Sequence, residues 1–176
     1  MQLLNSPHIF IKKSDCHTKC VERVRDIDID KTKVLESNML LSLYIVNRAG
    51  TLVFHRNLNP SLPKLSSNEY LRVGSTFHSL HELAKQAAPI QSGGILKLEA
   101  NNFSLQCLQT LTGMKFVIIA ETGAPSLDRV LERIYQFYSD YVLKNPFYEF
   151  GLLIKCHLFD EKLEMLYNSY KNGEKF

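Results

Sequence analysis

The chain has 176 residues, 45% of them apolar, 22% charged and none tryptophan. That length suits one domain, or one domain with a tail, and it can bury a core without a metal or disulfide staple. Twenty-one basic residues against 18 acidic ones leave a formal net charge of +3, which excludes a strongly electrostatic nucleic-acid binder or an acidic tail protein. No apolar run approaches the roughly 20 residues of a membrane span. Pro7, Lys12 and Lys13 stand where a secretory leader would need an apolar core. The expectation is a cytoplasmic protein whose four cysteines, at 16, 20, 107 and 156, are reduced thiols.

Residues 1–38 show no sustained periodicity, and Asp26, Asp28 and Asp30 fall on one side of an alternating stretch. They read as a mobile N-terminal extension, with the domain proper over 39–176. Residues 41–46 form a strand of β-branched and aliphatic residues, Asn47-Arg48-Ala49-Gly50 a turn, and residues 51–56 the returning strand. A loop with two prolines follows over 58–65. Ser66 and Glu69 then make a capping box for a helix whose apolar face is Tyr70, Val73, Gly74, Phe77, Leu80, Ala84, Ala87 and Ala88. After a turn over 91–94 come three more strands, at 95–99, 103–110 and 115–120, joined as a meander. Ser126 caps a second long helix with Leu127, Val130, Leu131, Ile134, Phe137, Tyr138, Tyr141 and Val142 on its apolar face. It stops at Lys144-Asn145-Pro146. Residues 152–159 read as either a strand extension or a packed loop, and Asp160 caps a third helix through Lys171. Three amphipathic helices and one five-stranded antiparallel sheet bury their faces together if one helix covers one side and two cover the other. The fold class is therefore α+β.

Candidate chemistry is sparse. Cys16, His17 and Cys20 lack a second ligand pair at zinc spacing. His78 and His81 lie three residues apart, whereas metal-binding helices space histidines by four around a glutamate. Cys107 shares parity with Leu105 and Phe103, the setting of a core thiol rather than an activated nucleophile. A stand-alone enzyme using Cys107 or Cys156 is one reading, with two others given by the resemblance below. No phosphate loop, metal site or cofactor is expected. The strongest signal is aromatic: Tyr135, Phe137, Tyr138, Tyr141, Phe147, Tyr148 and Phe150 crowd one stretch. A helical stripe buries one face only, and tyrosines at a helix end are typical of protein–protein contacts.

The strings SLYIVNRAGTLVF (42–54), SSNEYLRVGSTFHSL (66–80), FSLQCLQTLTGMKFVIIA (103–120), RIYQFYSDYVLKNPFYE (133–149) and LFDEKL (158–163) resemble the synbindin-type, longin-like (sedlin-fold) subunits of the TRAPP vesicle-tethering complex. The resemblance covers about residues 40–170, and QTLTGMKF and YSDYVLKNPFY are its most specific parts. It implies a hetero-oligomeric subunit without catalysis of its own. Such a subunit contributes to a composite guanine-nucleotide exchange surface for a Rab GTPase of the early secretory pathway, in ER-to-Golgi transport, with only peripheral membrane contact at the ER and cis-Golgi. The short connections over 58–65 and 88–94 resemble a minimal form, so functions tied to insertions there are not transferred. A longin-type module of another trafficking complex, such as an adaptor small subunit or SNARE-like regulator, is the alternative. A SNARE would need a following heptad-repeat helix, which the residues to Phe176 lack. Tyr138, Asp140, Tyr141, Lys144, Asn145, Pro146, Phe147 and Tyr148 are expected at or beside a subunit or Rab contact.

Overall fold

A computed structural model describes residues 39–89 and 93–173. The extension expected over 1–38, with its Cys16, His17 and Cys20, and part of the turn expected over 91–94 lie outside the described residues. In chain order the elements are β1 (Leu40–Val46), β2 (Leu52–Asn57), α1 (Ser67–Ala87), β3 (Lys97–Glu99), β4 (Ser104–Gln109), β5 (Lys115–Ala120), α2 (Leu127–Phe137) and α3 (His157–Lys171). A π-helical segment, Tyr138–Leu143, continues directly from α2. The strands form one antiparallel sheet in the order β2-β1-β5-β4-β3. The α1 crossover carries the chain from one sheet edge to the other.

Strand alternation divides the core in two. Leu43 and Ile45 of β1, with Phe116 and Ile118 of β5, face α2 and α3. Tyr44 and Val46 of β1, with Cys107 of β4 and Val117 of β5, face α1. One helix therefore covers one side of the sheet and two cover the other, the longin-like arrangement expected from the sequence. At the β1–β2 turn Gly50 has φ +86°, and a Cβ there would lie 2.7 Å from the His78 ring. Glycine is required twice over, by conformation and by space.

The capping box at α1 is formed as expected. Glu69 N donates to Ser66 Oγ, and Ser66 N donates to the Glu69 carboxylate at 2.7 Å. The buried stripe, however, is Tyr70, Gly74, Phe77 and His81, while Val73 and Leu80 are exposed on its flank. The cause is close approach: Gly74 brings the helix to 3.3 Å from Leu52 side-chain carbons, measured from where a Cβ would sit. The helix is thereby rotated so that Val73 and Leu80 leave the contact.

Two expected caps are not made. Ser126 precedes α2 in the left-handed region at φ 55° and its side chain makes no capping bond. Helix α3 begins at His157, so Asp160 lies inside its first turn, where Arg56 of β2 engages it. The guanidinium donates to the Asp160 carbonyl at 2.6 Å, to its carboxylate at 3.3 Å, and to Glu164 at 3.2 Å. Residues 152–156 are loop rather than strand, with Ile154 N donating to Val53 O at 2.9 Å beside β2. The π-helical segment answers a spacing problem. Val130, Ile134, Tyr138 and Val142 are buried at successive four-residue steps. Those steps would drift around an α-helix with about 3.6 residues per turn, and wider turns keep them on one face.

Candidate protein-interaction surface

Thiols and histidines are the side chains that would carry any chemistry. Cys107 is buried, and burial pushes its thiol up to about 12, far from the thiolate a nucleophile needs. Cys107 is therefore expected to resist alkylation at neutral pH until the protein unfolds. Quantitative labelling in native buffer and in denaturant checks this. Cys156 is half-buried and its Sγ lies 3.5 Å from the Tyr141 carbonyl.

His81 is fully buried and its Nε2 meets Gln109 Oε1 at 2.8 Å. His78 Nδ1 accepts from the Lys115 ammonium at 3.2 Å. The two rings therefore have separate partners. Lys115 is only 1% exposed and pairs with Glu82 at 3.1 Å, and Lys85 reaches the same carboxylate oxygen at 3.1 Å. Burial alone would raise the Glu82 carboxyl, but hydrogen bonds from Lys85 and Lys115, and their charges, hold it at about 2. A carboxyl depressed in the folded state contributes stability above its ordinary value of 4.5 and loses it as pH falls through the folded value. Stability should therefore decline between those values more steeply in the native chain than in Glu82→Gln. At neutral pH that variant should lose about 1–2 kcal/mol, since Glu82 is partly solvated. Denaturation at a series of acidic pH values checks both points.

The aromatic stretch builds a different kind of site. Beyond the π-helical segment the chain turns at Lys144 and runs over 145–156 without regular structure. That loop is pinned at several points. Asn145 Oδ1 accepts from Phe147 N at 3.0 Å, making the Asx turn that Asn-Pro favours. The Tyr148 ring meets Tyr138 edge-on at 6.5 Å, and its hydroxyl donates to the Leu152 carbonyl at 3.3 Å. Asn47, in the β1–β2 turn, donates to the Gly151 carbonyl at 3.3 Å. Gly151 sits at φ +89°, which redirects the backbone.

Held in this way, the loop turns large apolar side chains outward. Phe147 is 94% exposed, Leu153 64%, Leu152 56% and Phe150 52%, with Leu143 and Leu158 exposed beside them in sequence. Single exposed apolar residues need no explanation; here four stand on the pinned loop, and Leu143 of the π-helical segment and Leu158 of α3 flank them, six within 16 residues. A second apolar surface lies on the α1 side. Beyond α1 the sheet carries Leu98, Leu105 and Ile119 side by side. Leu98 is exposed and the other two are half-buried, with Val73 of α1 bordering the shallow depression over them.

The eight residues expected at a contact are sorted by this geometry. Asp140, Lys144, Pro146 and Phe147 are exposed, with Lys144 bridging to Asp140 at 2.7 Å. Asn145 and Tyr148 are half-buried and shape the loop; Tyr141 is half-buried against Phe137. Tyr138 is corrected to a core residue: it is 1% exposed, edge-on to Phe116 at 5.3 Å. It supports the surface from beneath and has no face to present. Phe150, Leu152, Leu153 and Leu158 were not among the expected residues. Their apolar run gave a signal, but one indistinguishable from a core strand.

The Sybindin-like family model matches residues 40–170, which takes in the whole sheet, α1, α2, the pinned loop and all but the last residue of α3. The chain belongs to the Sybindin-like family. Relatives in other organisms bear the name trafficking protein particle complex subunit 4. That from Dictyostelium discoideum is 49% identical over 127 residues, covering 71% of this chain and 93% of the relative. That from Bos taurus is 48% identical over 104 residues, covering 58% of this chain. The chain spans about half the length (48%) of that bovine relative. Trafficking protein particle complex subunit 1 of Dictyostelium discoideum is more distant, 26% identical over 132 residues, covering 72% of this chain and 93% of the relative. Within the Sybindin-like family, then, this chain is more similar to proteins named subunit 4 than to those named subunit 1.

Proposed function

We propose that the chain is a subunit of a trafficking protein particle complex, built into a hetero-oligomer through the pinned loop and its flanks, residues 143–158. The observation that carries this reading is the ordered outward display of Phe147, Phe150, Leu152 and Leu153. Large apolar groups held at fixed positions lose little further conformational entropy when a partner covers them. The names of the relatives support the choice of assembly. The second apolar surface, beside α1, suits a subunit with a neighbour on another side as well.

Within that assembly the chain contributes to a composite guanine-nucleotide exchange surface for a Rab GTPase of the early secretory pathway. It acts in ER-to-Golgi transport as a peripheral component at ER and cis-Golgi membranes. Exchange of this kind requires holding the GTPase with its switch loops displaced from the nucleotide. A rigid, shape-complementary surface performs that work without a nucleophile of its own. Asp140, Lys144 and Pro146 border the loop and are the residues proposed to lie beside the neighbouring subunit or the Rab. The test is reconstitution of the complex with the native chain or with Lys144→Ala combined with Phe147→Ala. Weakened assembly, or slowed nucleotide release from assembled complex, supports the reading. Unchanged assembly together with unchanged release refutes it.

A further inference from the structure

At the far end of α1 the cleft between that helix, the β1–β2 turn and the β4–β5 turn has a volume of about 580 Å³. Its walls carry Arg48, His78, Glu82, Lys85, Gln109 and Lys115. We propose that this cleft is a binding site for a phosphate-bearing anion.

Charge is the first argument. Arg48, Lys85 and Lys115 bring three positive charges to the walls against the single carboxylate of Glu82. Both ammonium groups share one oxygen of that carboxylate, so the cleft keeps an excess of two positive charges. A phosphate monoester carries about −1.5 to −2 at neutral pH and matches that excess, whereas a carboxylate would leave half of it.

The cleft also holds unspent hydrogen-bonding capacity. Lys115 is 1% exposed, and burying an ammonium is costly unless its charge is compensated. One shared carboxylate oxygen, with His78 Nδ1 as a second acceptor for Lys115, is a thin supply for two ammonium groups with six N–H donors between them. Arg48 makes no hydrogen bond or ion pair among the described residues, and its aliphatic stem lies over Gly113, where a Cβ would come within 3.0 Å of Cγ. Its five donors are therefore available at the rim. An ammonium only donates, so the contact with Lys115 makes His78 Nδ1 an acceptor and leaves the proton on Nε2 as a further donor. A guanidinium, two ammonium groups and an imidazole, drawn from three separate elements, line one concave space.

The test uses the full chain with inorganic phosphate, read through the NMR resonances of the His78 ring. Saturable shifts at His78 are expected. Arg48→Gln and Lys85→Gln, both at partly exposed side chains, should each weaken binding about tenfold, the loss of one charge-assisted contact. Lys97→Gln, which removes an exposed cation from β3, should leave it unchanged. Vesicles of phosphatidylcholine with and without a phosphatidylinositol monophosphate separate the two sources of the group. Sedimentation with the phosphorylated lipid, lost in Arg48→Gln, assigns a lipid headgroup. Phosphate binding without sedimentation assigns a soluble phosphate. Absence of saturable shifts together with absence of sedimentation overturns the proposal, as does an equal loss in Lys97→Gln.

Discussion

Phe116→Ala is expected to lower the unfolding free energy by about 3–5 kcal/mol, a large part of the roughly 5–15 kcal/mol that holds a domain folded. Phe116 is fully buried on the central strand β5, between Ile45 of β1 and Leu108 of β4. Two aromatic rings descend on it edge-on, Tyr135 at 5.8 Å and Tyr138 at 5.3 Å. Each such pair contributes about 0.5–1.5 kcal/mol beyond area burial, so truncation removes a packed ring and two oriented contacts together. The cavity would open beneath the junction of α2 with the π-helical segment, which carries the pinned loop. A urea titration should show a lower midpoint with an unchanged slope. A loss below about 1 kcal/mol would mean that the site collapses freely and that Phe116 is not the anchor of this layer.

The opposite result is expected at the surface. Phe147→Ser combined with Leu153→Ser should change unfolding stability by no more than about 0.5 kcal/mol, as exposed positions do. The same pair should weaken association with the neighbouring subunit by at least about 2 kcal/mol, or roughly thirtyfold. The reason is geometric. Phe147 makes its Asx-turn contact through its backbone N–H, so the ring is free to leave without releasing the turn. Tyr148, Gly151 and Ile154 hold the rest of the loop through bonds that neither substitution touches. Titration of the reconstituted complex and a thermal melt of the isolated chain measure the two effects separately. Equal loss in both would show that these side chains stabilise the fold rather than a contact.

Much of this architecture is legible in the sequence. The run Lys115–Ala120 announces β5 because β-branched and aliphatic residues in an unbroken stretch suit a strand buried on both faces. Ser66 and Glu69 announce the start of α1 because both partners of the capping box are local. The phase of α1 is harder to read. His81 and Gly74 are buried while Leu80 and Leu83 are exposed. Hydropathy ranks those residues the wrong way round, since a polar partner at Gln109 and a close approach at Leu52 decide their burial. Lys115 is obscured in the same manner, for only the fold brings Glu82 to it.

The exposed apolar loop is half legible. An excess of aromatics near the end of the second helix signals more apolar surface than one stripe can hide, and Phe147 and Tyr148 emerge from that reasoning. Phe150 belongs to the same aromatic stretch without being singled out, and Leu152 and Leu153 do not emerge at all. An apolar run looks the same whether it faces a core or a partner, and what keeps this one outward is remote: Asn47 at Gly151 and Val53 at Ile154. Tyr138 reads both ways in sequence: it belongs to the aromatic cluster and to the apolar face of the second helix with Ile134, and its burial follows the second.

The most direct test of the account is amide hydrogen exchange of the native chain, alone and within the reconstituted trafficking protein particle complex. The account predicts that protection over 143–158 rises sharply on assembly, strongest around Phe147 to Leu153, while β1 and β5 exchange slowly in both states. Unchanged exchange over 143–158 in a complex that protects other surfaces of the chain would contradict it.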